Sequence, residues 1–291
     1  MTTPAATPKG SRSPQPNPDD QTRTVRQAQT YARLGWRVVP LNPRSKKPIG
    51  NAWQKQRLTE EELPGRFGHG ENLGVLLGDP SGGLTDIDLD CREARELASQ
   101  FLPHTEAIFG RASSPRSHYE YLADPLPGPT KYTDPLTKEG EEHSTLIELR
   151  TTGQTMFPPS THTSGEVVAW TTDGAVPPTV DGAEIDRAVR KVAAAALLAR
   201  YWPTGHRHDA TLALAGGLLR GGWTPDDTWD FIRAIGHVAG DEEIDDREVN
   251  VRSTAAKLES GDAKVTGWPK LGDYLKDKVI AAKAREWLQI D

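Results

Sequence analysis

The stretch Gly82-Gly83-Leu84-Thr85-Asp86-Ile87-Asp88-Leu89-Asp90-Cys91 alternates acidic and apolar residues. On a strand, successive side chains point to opposite faces, so Asp86, Asp88 and Asp90 share one face and Ile87 and Leu89 the other. Three neighbouring carboxylates repel one another unless a cation lies among them or one is protonated. Such oxygen donors suit Mg²⁺ or Mn²⁺. The plainer alternative is a strand with one solvated, acidic face, as antiparallel sheets often have. Two later stretches bear on the choice. Gly110 to Leu122 is a loop with two arginines that enters a strand opening at Ser117-His118, and Thr145 to Arg150 reads as a strand with Leu146, Glu148 and Arg150 on one face. Nucleotidyl transfer needs carboxylates that bridge two divalent ions and cationic donors for a triphosphate. Glu148 could complete the carboxylates, and Arg116, His118 and Arg150 could supply the donors, provided the two acidic strands are neighbours in one sheet.

The remaining elements must position these groups. A helix is expected over Thr24–Leu34, ended by Gly35, then a strand over Trp36–Leu41. Asn42-Pro43-Arg44-Ser45-Lys46-Lys47-Pro48 is a basic loop, either solvated or in contact with a polyanion. Thr59 with Glu62 forms a capping pattern for a short helix over Thr59–Leu63. Asn72–Gly78 is expected to pair with the acidic strand through the tight turn Asp79–Gly83. A helix over Glu93–Phe101 follows, residues 123–142 read as an irregular excursion, and Met156–Trp170 crosses a Pro-Pro loop into a closing strand. Beyond Val176-Pro177-Pro178-Thr179 the pattern turns helical: Glu184–Tyr201, Asp209–Gly221, a helix capped by Thr224 and Pro225, Arg247–Leu258, and Leu271–Leu288. The expected organisation is a disordered tail at 1–21, an α/β catalytic domain at 22–178 and an all-helical domain at 184–291.

Composition narrows the classes. The 291 residues are 26% charged and 35% hydrophobic, with a net charge of −6. That charge argues against coating nucleic acid by bulk electrostatics, though not against a local basic groove beside acidic metal ligands. No run approaches the roughly 18 apolar residues of a membrane span, and no signal-peptide core is present. The single cysteine, Cys91, excludes an internal disulfide and a cysteine-rich zinc site, and fits a reducing, cytoplasmic setting.

Taken in order, several motifs together resemble the prim-pol domain of the archaeo-eukaryotic primase superfamily, over about residues 24–172. They are Gly35–Leu41 with Lys46-Lys47-Pro48, Asn72-Leu73-Gly74-Val75 with Gly78, Leu84–Asp90, Arg116-Ser117-His118, and Ile147–Arg150 through Pro158-Pro159-Ser160 and Gly165–Trp170. The resemblance implies an α+β fold: an RRM-like mixed sheet with an additional α/β unit, followed here by a small helical domain of the kind that assists primer initiation. It implies a DNA primase-polymerase that makes and extends primers on a single-stranded DNA template, using nucleoside triphosphates and Mg²⁺ or Mn²⁺. Such cores belong to phage- or plasmid-type replication proteins and are frequently fused to a replicative helicase. No G-x-x-x-x-G-K-[ST] loop occurs in these residues, so they do not encode that ATPase. Some relatives carry a cysteine-ligated zinc element, which one cysteine rules out.

The resemblance also assigns roles. The acidic pair can be Asp86 with Asp88 or Asp88 with Asp90. Counting from Gly83-Leu84 favours Asp88 and Asp90, with Asp86 as a supporting partner. Asp88, Asp90 and Glu148 are then the metal ligands, Glu148 standing where the family often has Asp. His118 contacts the nucleotide's phosphates with Arg116 and Ser117 beside it, and Arg150 and Gln154 face the nucleotide. Lys47 is a candidate phosphate or template contact, as is His162 after the Pro-Pro-Ser loop. Structural alternatives stay open for His118, for Arg150 as a strand ion-pair partner and for His162 as a solvated loop residue. Two rival functions are a metal-dependent nuclease, which would leave the Arg116-Ser117-His118 set without a purpose, and a non-catalytic origin-binding module, against which the complete acidic and basic set argues.

Overall fold

The computed structural model describes residues 18–138, 144–262 and 264–291. Among them the chain is 43% helical and 19% strand, an α+β arrangement of antiparallel sheets with a helical C-terminal region. The elements run α1 (Pro18–Arg33), β1 (Val38–Leu41), α2 (Leu63–Arg66), β2 (Asn72–Leu76), β3 (Leu84–Leu89), α3 (Arg92–Phe101), β4 (Ile108–Arg111), β5 (Ser114–Ala123), β6 (Thr130–Thr133), β7 (Thr145–Arg150), β8 (Gln154–Phe157), β9 (Ala169–Trp170) and β10 (Thr179–Val180). Six helices follow: α4 (Gly182–Arg200), α5 (Arg207–Arg220), α6 (Pro225–Val238), α7 (Glu248–Glu259), α8 (Trp268–Tyr274) and α9 (Lys278–Trp287).

β3 is the element both layers share. Its sheet has the order β6-β7-β3-β5-β4-β9, with β10 pairing β5 in parallel. On one face Ile87 and Leu89 join Tyr119, Tyr121, Ile147 and Leu149 in a core built against α3, α4 and the later helices. Each such buried aliphatic chain contributes about 1.5–3 kcal/mol relative to exposure. On the other face Leu84 joins a second core with Val39, Leu73, Val75, Phe109 and Phe157. That core fills the space between the large sheet and a three-stranded sheet, β1-β2-β8. The second core covers only the Leu84 end of β3, so Asp86 beside it is buried while Asp88 and Asp90 further along approach an open edge of the sandwich.

Several elements differ from the sequence-based expectation, each for a local reason. α1 begins at Pro18 rather than Thr24, and only positions 1–17 of the expected tail lie outside the described residues. At Thr59 the Glu62 carboxylate accepts the Thr59 N–H at 2.8 Å, yet the helix starts only at Leu63. β2 and β3 are not a hairpin: they lie in different sheets, joined by a single bridge, Gly78 to Leu84. Gly78 has φ +75°, and a side chain there would run into the Thr151 carbonyl oxygen, so the chain crosses between layers at a glycine. The excursion at 123–142 contains a strand, β6, and its positions 139–142 lie outside the described residues. The expected terminal helix over Leu271–Leu288 is two helices, because the Asp277 side chain accepts the Val279 N–H at 2.9 Å and caps a new start.

Candidate active site

Register fixes the neighbours of each carboxylate. β3 lies between β5 and β7, so Asp86 stands opposite Glu120 on one side and Arg150 on the other. Asp88 likewise stands between His118 and Glu148. The condition set by the sequence, that the two acidic strands be adjacent, is met.

Asp86 is fully buried, and its carboxylate is occupied by protein donors. Thr155 Oγ1 donates to it at 2.6 Å and His118 Nδ1 lies at 3.0 Å. The Arg150 guanidinium lies 3.5 Å away and is held in turn on Thr155 Oγ1 and the Gln154 carbonyl. Burial alone would raise the Asp86 pKa, but the His118, Arg150 and Thr155 interactions outweigh it and hold the group at about 2. His118 shows the converse: burial disfavours its charged form, yet Asp88 and Asp86 raise its pKa above the ordinary value. Its ring stacks on Phe109 at 4.5 Å and 15°. Glu120, also fully buried, has no hydrogen-bond partner for either oxygen among the described residues. Burial and the facing Asp86 push its pKa well above the usual carboxylate range.

Asp88 and Asp90 grade outward along the same face. The Asp88 side chain is 14% exposed, and its pKa is raised by burial and by Asp86 against the pull of His118 and Arg150. Asp90 follows the strand end, exposed, with its N–H on the Leu146 carbonyl at 3.1 Å. Partial desolvation, Asp88 and Glu148 push it up to about 7. Glu148 is ion-paired to Lys131 at 3.0 Å and lies 3.8 Å from Arg150. Asp88, Asp90 and Glu148 stand as three carboxylates at an open mouth, but their donor atoms do not all lie within 4.8 Å of one another. Among the described residues, the one trio of ligand-type groups with donor atoms within 4.8 Å of one another is Asp86, His118 and Glu120. That trio could hold a metal ion; in the metal-free chain Asp86 and His118 face each other at 3.0 Å, Thr155 donates to Asp86 and Arg150 adds a positive charge.

Two adjoining clefts open beside the carboxylates. One, of about 180 Å³, is lined by Lys46, Arg111, Ser117, His118, Arg150 and Gln154. The other, of about 370 Å³, runs from Lys46, Arg111 and Ser117 past Asp88 and Asp90 to Arg95. His162 lines both, its Nδ1 2.9 Å from Ser164 Oγ. The Ser117 hydroxyl and the Gln154 side-chain oxygen are buried without partners among the described residues, while Gln154 Nε2 donates to the Lys46 carbonyl at 2.9 Å. A concave surface with convergent cations and unspent hydrogen-bonding groups can bind a polyphosphate.

Arg116 and Lys47 are not brought to these clefts. The β4–β5 pairing shifts register between Phe109 and Arg111, and Arg116 adopts φ 52°. This irregularity breaks the alternation and sends the Arg116 guanidinium to the Tyr119 hydroxyl, 3.0 Å away. Lys46, not Lys47, lines the clefts, as does Arg111. Sequence reasoning also missed Glu120 and Thr155. Glu120 had a usable signal, standing two residues after His118 on one strand; Thr155 had none, since its approach to Asp86 spans two sheets.

Residues 28–187, more than half of the chain, match the family model described as bifunctional DNA primase/polymerase, N-terminal. No curated protein matches the chain. Among the described residues no helix is long and apolar enough to cross a membrane.

Proposed function

Because the chain belongs to the bifunctional DNA primase/polymerase family, we propose that it makes and extends primers on a single-stranded DNA template by nucleotidyl transfer at the β3 carboxylates. The observation that carries this reading is the junction of two features: Asp88, Asp90 and Glu148 at the sheet's open edge, and beside them a cationic cleft holding the unpaired Ser117 hydroxyl. Asp88, Asp90 and Glu148 would hold Mg²⁺ or Mn²⁺, which supply charge neutralisation and an acidified hydroxyl when bound. His118, whose pKa Asp88 and Asp86 raise against the effect of burial, joins Lys46, Arg111 and Arg150 in neutralising the β- and γ-phosphates of a nucleoside triphosphate. Ser117 donates its hydroxyl to a phosphate oxygen, and Gln154 and His162 border the nucleotide. The bond formed joins a 3′ oxygen to the α-phosphorus, and the bond broken releases pyrophosphate. We assign catalysis to residues 22–178 and assistance of primer initiation to the helical residues 184–291.

The test uses the Asp88→Ala, Asp90→Ala double variant with a labelled single-stranded template, Mn²⁺ and nucleotides. The variant is expected to lose Mn²⁺ binding and nucleotide incorporation while keeping its circular dichroism spectrum and unfolding midpoint. Robust extension by that variant would sink the assignment. Wild-type products that shorten instead of lengthen would point to a nuclease.

A further inference from the structure

One row of side chains crosses four strands in register. His118 on β5 stands opposite Asp88 on β3, Asp88 opposite Glu148 on β7, and Glu148 opposite Lys131 on β6. With strands about 4.8 Å apart, the row spans about 14 Å. Its sign order is cation, anion, anion, cation. The His118 end opens into the cleft with Lys46, Arg111 and Ser117. The Lys131 end opens into a separate cleft of about 250 Å³, lined by Pro129, Thr130, Lys131, Glu148, Arg150 and Thr152. β6 is the sheet's edge strand, so this end is open to a large ligand.

In-line displacement sets the direction of traffic. The attacking and leaving oxygens lie on opposite sides of the α-phosphorus. With the β- and γ-phosphates at the His118 end, the attacking hydroxyl arrives from the Glu148 side. The strand bearing that hydroxyl carries backbone phosphates; of the two cations lining the cleft, Arg150 is held by Asp86, Thr155 and Gln154, and Lys131 is the more exposed. In the metal-free chain Lys131 is ion-paired to Glu148 at 3.0 Å, with its side chain 54% exposed. A divalent cation on Glu148 outcompetes an ammonium group, and the lysine's four-carbon stem lets it swing to a nearby phosphate.

We infer that the β6–β7 cleft receives the backbone phosphates at the 3′ end of the polynucleotide strand being extended, and that Lys131 transfers from Glu148 to one of those phosphates when the metal binds. The inference rests on the nucleotidyl-transfer reading of the site and adds the side from which the growing strand enters.

The experiment compares the full chain with Lys131→Ala and Lys131→Arg. Mn²⁺ binding is measured by titration calorimetry, and binding of a primer–template duplex with a recessed 3′ end by fluorescence anisotropy over a range of salt. Lys131→Ala is expected to bind Mn²⁺ up to about fivefold more tightly, because a competing cation is gone. It should bind the recessed duplex about threefold to tenfold more weakly, with the salt slope reduced by about 1 and the nucleotide KM unchanged. Lys131→Arg should restore DNA affinity. Duplex affinity within twofold of the wild type, or a raised nucleotide KM with unchanged DNA binding, overturns the inference. Neither binding readout depends on turnover, so a wild-type chain inactive in incorporation would refute the polymerase reading and leave the Lys131 result to be judged separately.

Discussion

Replacing Asp86 by Asn separates a residue that orients His118 from one that holds metal. The two side chains have the same shape, so the fold has little to accommodate, but the charge beneath His118 disappears. In the wild type the buried Asp86 carboxylate lies 3.0 Å from His118 Nδ1, and with Asp88 it raises the imidazole pKa above its ordinary value. A raised folded-state pKa keeps the imidazolium below and somewhat beyond the ordinary value of about 6.5, and loses it as pH rises through the higher, native value. Without Asp86 the loss moves to lower pH, because Asp88 alone then opposes the burial that disfavours the charged ring. A hydrogen bond to a charged group is worth about 1.5–3 kcal/mol. We therefore expect a nucleotide KM about tenfold or more higher at alkaline pH, shrinking toward wild type as pH falls, with kcat changed much less. Mn²⁺ affinity should be unchanged or slightly stronger, because Asp86 raises the Asp88 pKa and its removal eases that repulsion. Steady-state incorporation at several pH values and Mn²⁺ calorimetry measure both quantities. A pH-independent ratio of the two KM values together with a loss of Mn²⁺ binding as large as that of Asp88→Asn would refute the reasoning and make Asp86 a ligand.

Three further outcomes follow from the geometry. Arg116→Ala should leave the nucleotide KM within about twofold, whereas Lys46→Ala or Arg111→Ala should raise it about tenfold or more, since only the latter two line the clefts; equal effects would contradict the placement of Arg116. The Cys91 thiol is buried at the start of α3, its Sγ accepting the Ala94 N–H, and burial pushes its pKa up to about 12. The native chain should therefore resist a thiol-specific disulfide reagent at pH 8 and react only as it unfolds, and rapid native labelling would count against this packing. Gly182→Ala at the head of α4 would drive a Cβ into the Pro125 carbonyl oxygen, so chemical denaturation should show a loss of about 1–3 kcal/mol; an unchanged midpoint would show that the contact yields freely.

What was legible in the sequence follows from period and chemistry. The Asp86-Asp88-Asp90 alternation, the Glu148 strand and the Ser117-His118 pair were readable because strand periodicity places side chains without knowledge of the partner strands. Lys46, Arg111 and the Arg116 reversal were not, because each depends on a loop or on a register shift decided by cross-strand packing. β6 was hidden because Thr130-Lys131-Tyr132-Thr133 is four residues inside a Pro- and Gly-rich stretch. Only the apolar seat of Tyr132 in the helix-side core and the pairing with β7 make it a strand. The separation of β2 from β3 turned on close packing at Gly78 against Thr151, a contact 73 positions away in sequence that no local pattern announces.

The three aspartates of β3 carry the same side chain, and what divides their work is depth. Asp86 sits next to the part of the strand that Leu84 anchors in the second core, beyond the reach of solvent, and its oxygens are taken by Thr155 and His118. A metal ion placed there would have to displace protein donors and approach Arg150, and the lost bonds would offset much of the gain. Asp88 sits where burial is nearly complete but the cationic neighbours lie 3.7 Å away, close enough to steady a carboxylate and too far to saturate it. Asp90 has left the sheet, and its pKa is raised by partial desolvation and by the negative charge of Asp88 and Glu148. Moving outward, the same residue type therefore passes from a group that fixes another side chain's charge to groups with oxygen atoms left for a ligand. The sandwich sets this order by ending its second core midway along β3, which is how a strand with a simple two-residue repeat can supply both the support and the proposed ligands of one site.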